Sequence, residues 1–150
     1  MGIDLAFLSM VYHHLADVPA ALTELRRVVR RGGWVVARTA TREIIETVEL
    51  FDFFPEAREL DRGRMPWRRD LIDRFAEAGF APRAQTTVQH RFADNPQDWL
   101  RKIARRGLSS LQLLPDDVFQ RRLREFAHHC RTAPPGPVWE PVDLFVFLAS

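Results

Sequence analysis

Cysteine, lysine and glycine are all scarce in this chain, and each scarcity excludes something. A single cysteine, Cys130, in 150 residues rules out an internal disulfide and a cysteine-built zinc cage, and fits a reducing compartment. No apolar run approaches the roughly 20 residues that a membrane-spanning helix needs. The amino terminus also lacks the basic, then apolar, then small pattern of a secretory leader. The chain is therefore expected to be soluble and cytoplasmic, with no membrane partner. Lys102 is the only lysine among 22 basic residues, and the rest are arginine. Arginine keeps its charge at any relevant pH, so the pI of about 9.3 looks basic although 22 bases against 20 acids leave only +2. These arginines sit beside acids along helical stretches, as Arg26 and Arg27 do beside Glu24, rather than on one basic face. No nucleic-acid partner is expected. The seven glycines never fall in G-x-G spacing, so a glycine-rich turn of that spacing, which lets a backbone approach a ligand, is missing.

What is present suits one globular domain. The composition is 46% hydrophobic and 28% charged, enough for a core of useful size. Ile3–Ser9 is a short, bounded apolar run, the pattern of a parallel strand buried on both faces. Asp17 is placed to cap a helix whose stripe is Val18, Ala21, Leu22, Leu25, Val28 and Val29, with Gly32-Gly33 as its stop. Trp34–Arg38 then reads as a second strand, which makes a strand–helix–strand unit with a right-handed crossover. Further along, the pattern predicts a helix over 41–54, a loop over 55–66, and a helix from Trp67 to Gly79. It continues with a strand over 84–92 near a sheet edge and a helix opened by Asn95-Pro96 and closed by Gly107. A helix from Asp116 or Asp117 carries Phe119, Leu123, Phe126, Ala127 and Cys130 on one stripe, and a strand over 142–148 ends the pattern. No internal repeat is present.

The segment IDLAFLSMVYHHLADVPAALTELRRVVRRGGWVVART resembles the middle of a class I SAM-dependent methyltransferase. Asp4-Leu5, His13-His14-Leu15, Asp17, Arg27-Val28-Val29 and Gly32-Gly33 fall in register with that family's pattern, and LIDRFAEAGF at 71–80 resembles a later helix end. The resemblance covers residues 1–92 and, more loosely, the closing strand. It implies an α/β fold: a partial Rossmann-like methyltransferase sheet, two parallel strands plus an antiparallel pair, with a helical insertion over 94–131. The final strand should insert between the second strand and the 84–92 strand. The family's glycine-rich turn and its ribose-binding acid precede this segment. The chain is thus expected to be a carboxyl-terminal portion, short by roughly 80 residues at about 30 per strand–helix unit.

The implied activity is methyl transfer from S-adenosyl-L-methionine to a small-molecule acceptor, in the complete domain. Ser9, Met10 and Val11, after the first strand, would lie beside the methionine part of the cofactor. His13 and His14 are the candidate bases for deprotonating an acceptor. As neighbours on a helix they point about 100° apart and cannot share a metal as an i, i+4 pair does. Packing at a helix start is the competing role. Thr39, Arg64 and Trp67 are the candidate acceptor contacts, and Phe51, Phe53 and Phe54 fit either that pocket or a core. His128, His129 and Cys130 at a helix end make a poor zinc site. The alternative function is a non-catalytic half-domain whose exposed first strand pairs with a second copy or a partner chain.

Overall fold

The computed structural model describes residues 2–150. In chain order β1 (Ile3–Ser9) leads through a single 3-10 turn (Tyr12–His14) to α1 (Val18–Val28) and β2 (Val29–Thr39). Then come α2 (Arg42–Ile45), α3 (Leu50–Phe53), α4 (Pro55–Arg64) and α5 (Arg68–Glu77). The chain continues with β3 (Phe80–Ala93), α6 (Pro96–Ala104), α7 (Ser109–Gln112), α8 (Asp116–Thr132) and β4 (Val138–Ala149). The four strands form one sheet in the order β1-β2-β4-β3. β1 runs parallel to β2, and β4 runs against β2 with Trp34 opposite Leu148 and Thr39 opposite Asp143. The expected insertion of the last strand between β2 and β3 is what the sheet has.

The chain divides into two compact units. The first comprises the segments up to Ile44, Met65–Val88 and Val142–Ser150. Its core is Leu22, Val35, Ala37, Leu71, Phe75, Phe80, Phe145 and Phe147, where α1 and α5 cover one face of the sheet. Phe75 stacks on Phe147 with ring centres 4.1 Å apart and planes 4° from parallel. Asp17 caps α1 by accepting from Ala20 N at 3.0 Å. Gly79, at φ +91°, ends the turn after α5 and lets fully buried Phe80 start β3.

The second unit comprises Ile45–Arg64 and Gln89–Pro141. Phe54, Phe119, Phe126, Trp99, Ile103 and Leu111 are buried within it. Trp99 meets Phe126 edge-on at 4.8 Å and 88°. Asn95 caps α6 through Asp98 N at 2.7 Å, with Pro96 in the first turn.

Several local expectations change. β1 is not buried on both faces: Ile3, Leu5 and Phe7 are 45%, 58% and 59% exposed, because β1 is an edge strand and its second face carries no helix among the described residues. Gly32-Gly33 does not stop α1, which ends at Val28. The pair instead lies inside β2, which is longer than the expected 34–38, at a register slip where Ile3 faces Val29 but Leu5 already faces Trp34. There Gly32 takes φ +77°, and a Cβ on Gly33 would stand 2.8 Å from Val29 Cγ1 and 2.9 Å from the Arg30 carbonyl. The slip therefore requires both glycines. The helix expected over 41–54 is broken into α2 and α3, and the loop expected over 55–66 is mostly α4. Pro55 stands at its first position, and Arg62 and Arg64 pair with Glu59 and Asp61 three residues back, which offsets Gly63. Gly107 does not close α6; Arg106 takes the left-handed φ of +51°.

Candidate functional site

In an open α/β sheet, ligands gather beyond the carboxyl ends of the parallel strands. Here those ends are Ser9 of β1 and Thr39 of β2. Met10 follows β1 at φ +56°, a conformation uncommon for a side chain with a Cβ. Its N–H donates to the Arg38 carbonyl at 2.8 Å, and Arg38 Nη1 donates to Ser9 Oγ at 3.4 Å. Met10 and Val11 are exposed at this end. Tyr12 turns inward and stacks on Phe75, and burial pushes its phenol up. The 3-10 turn leaves His13 half-buried and His14 exposed, with ring centres 4.0 Å apart. Ser9, Met10, Val11, His13 and His14 thus form one continuous stretch at the carboxyl end of β1.

Past β2 the geometry centres on Asp143, whose side chain is fully buried. Its Oδ2 accepts from Thr41 Oγ1 and Arg68 Nε, both at 2.7 Å. Its Oδ1 accepts from Thr87 Oγ1 at 2.7 Å, Arg68 Nη2 at 3.1 Å and Gln85 Nε2 at 3.2 Å. The carboxylate ties β4 to α5, β3 and the segment after β2. It also holds the Arg68 guanidinium above its ordinary pKa, and Glu43 receives the Arg68 N–H. Thr39 is fully buried, and its hydroxyl donates to the Ala40 carbonyl at 3.2 Å. Trp67 immediately precedes α5, half-exposed, with the Arg42 guanidinium 5.3 Å from its ring centre.

Arg64 belongs to the second unit, where it donates to Asp61 at 2.6 Å and Ser109 at 2.9 Å. Asp61 is buried, and desolvation raises its pKa against the pull of Arg64 and Ser110. Phe51 and Phe54 are core residues of the same unit. Cys130 is buried there, its thiol pushed up to about 11 chiefly by desolvation. The Asp143 cluster was not singled out from the sequence. Its one signal is an acid inside the apolar run VDLFVFL.

Residues 2–37 match the family model for a methyltransferase domain. A candidate methyltransferase of an antibiotic biosynthesis pathway from Anabaena variabilis superposes with a TM-score of 0.66 at 16% identity, covering 96% of this chain and 66% of its own. A second candidate methyltransferase, from Bacillus halodurans, gives 0.58 at 13% identity, with 98% and 64% covered. Geranyl diphosphate methyltransferase, solved with SAM, gives 0.50 at 11% identity, with 99% and 51% covered. No curated protein matches the chain by sequence. The resemblance to class I SAM-dependent methyltransferases therefore holds for the fold, which is the Rossmann-like α/β sheet of these enzymes. The chain spans about two thirds or less of the length of these structures.

Proposed function

We propose that this chain is the carboxyl-terminal part of a cytoplasmic SAM-dependent methyltransferase acting on a small molecule, and that it is inactive alone. The observation that carries this reading is the coincidence of the matched segment, residues 2–37, with an exposed, left-handed loop at the carboxyl end of β1. That loop fits one side of the cofactor: the Ser9 hydroxyl and the surface of Met10 and Val11 would border its methionine end. When bound, SAM supplies an electrophilic methyl group on a sulfonium. His14, exposed beside the loop, or His13 would take the proton from an acceptor hydroxyl or amine, and Trp67 would bound the acceptor side. The polar groups of Thr39 and Arg64 already have partners in the protein, so an acceptor contact there would have to displace them. A chain extended by its in-frame upstream coding sequence tests the reading. Transfer of labelled methyl from SAM by the extended chain, and none by these 150 residues, is the expected result. An extension with no G-x-G turn, or one that folds and binds no SAM, would overturn it.

A second reading is favoured by the edge of β1. Its unpaired backbone and the exposed Ile3, Leu5, Phe7 and Trp34 make a surface that monomers usually protect. In this reading the chain pairs there with a second copy or another polypeptide and performs no catalysis.

A further inference from the structure

The second unit holds a cleft of about 410 Å³, within the range of small-molecule sites. Glu49, Trp99 and His129 line it together with the segment 133–139. The His129 ring lies 4.5 Å from Phe53 and 6.4 Å from Trp99, and its Nε2 is 3.5 Å from Glu49 Oε1. Trp139, at the start of β4, leaves just over half of its surface exposed. The segment Ala133–Pro137 reads APPGP. Proline offers a carbonyl acceptor and no N–H, so three of these five residues can accept but not donate.

The lining is therefore rich in electrons and poor in positive charge. It presents one carboxylate, four prolines, two indoles and the His129 imidazole beside Glu49, and no lysine or arginine. The Trp99 N–H is fully covered and does not offer itself to a ligand. An anion would lose its hydration here and gain no cation in return. An organic cation would meet a carboxylate and the negative face of an indole ring while burying its apolar body.

We propose that this cleft binds a small alkylammonium ion, held by the Glu49 carboxylate and the Trp139 indole, with Trp99 as a further aromatic surface. The proposal goes beyond methyl transfer and does not rest on it, because its test reads binding alone. Choline and its uncharged isostere 3,3-dimethylbutan-1-ol differ only in the cationic nitrogen. Each is titrated into the intact chain labelled with nitrogen-15, and the indole N–H resonances of the four tryptophans are followed. Choline is expected to shift Trp139 and Trp99 saturably and to bind roughly five- to tenfold tighter than the alcohol. Glu49→Gln and Trp139→Leu should each remove most of that difference, whereas Trp139→Phe should keep it. Equal affinity for the two probes, no saturable shift, or shifts confined to Trp34 and Trp67 would overturn the proposal. The comparison of probes in the unaltered chain decides it even if a variant fails to fold.

Discussion

Asp143 accepts hydrogen bonds from four side chains and is wholly cut off from water. Removing it leaves the Arg68 charge and two threonine hydroxyls without their acceptor, and because Arg68 is one-third exposed the loss should fall below the roughly 3–5 kcal/mol of a fully buried broken pair. Asp143→Ala should therefore lower the urea midpoint sharply, and Asp143→Asn, which keeps one carbonyl oxygen, should cost less. Unchanged midpoints would show the cluster to be incidental. Glu140 is the opposite case. Its Oε1 is buried without a partner, His90 Nε2 lies 3.9 Å from its Oε2, and burial raises the carboxyl from 4.5 to about 7. Between those pH values the folded chain holds a proton that the unfolded chain has released. Stability from this group is complete below about pH 4.5 and is lost as pH rises to 7, by up to about 3 kcal/mol. Glu140→Gln should flatten that slope in urea titrations at pH 5, 6, 7 and 8, and an unaltered slope would sink the assignment. Neither acid was legible in advance. Asp143 sits in an apolar strand pattern that reads as core, and Glu140 falls before the strand expected over 142–148. The partners of Asp143 come from α5, β3 and the segment after β2, which meet only in the fold.

At the scale of elements, sequence was a good guide where a local side chain does the work. Asp17 and Asn95 cap their helices as read, and each change to alanine should cost about 1 kcal/mol by denaturant unfolding. A loss near zero at either would mean that the cap is made elsewhere. Guidance failed where two local signals compete. Pro55, Gly63 and Pro66 suggested a loop, yet Pro55 suits a first turn, and arginine–carboxylate pairs hold the rest of α4. Gly32-Gly33 suggested a helix stop, because a slip in strand register cannot be seen until the partner strand is known. Gly33→Ala should consequently destabilise the chain through the β1–β2 pair, with amide exchange rising first along 29–36. The position of Ser9–Val11 at the end of β1 was legible because the apolar run stops there. The cleft of the second unit was not, since Glu49, His129 and Trp139 meet only through tertiary packing.

For the whole molecule, the strand order follows from the family pattern, whereas the exposure of β1 does not follow from its apolar sequence. Calorimetric titration with SAM should show no binding tighter than roughly millimolar, worth about 4 kcal/mol. One loop bordering one end of the ligand would not offset its lost translational and rotational freedom. Micromolar binding by a verified monomer would refute this. Light scattering after size exclusion should report a dimer if the β1 edge pairs, and Phe7→Lys should dissolve it. The strand order carries a consequence for biosynthesis as well. Of the four strands, β4 leaves the ribosome last, yet it lies between β2 and β3, and Phe145 and Phe147 fill the core. Its partner residues 34–39 must wait through about a hundred further residues of translation with that edge unpaired. During synthesis the nascent chain therefore offers an open strand edge until β4 is made.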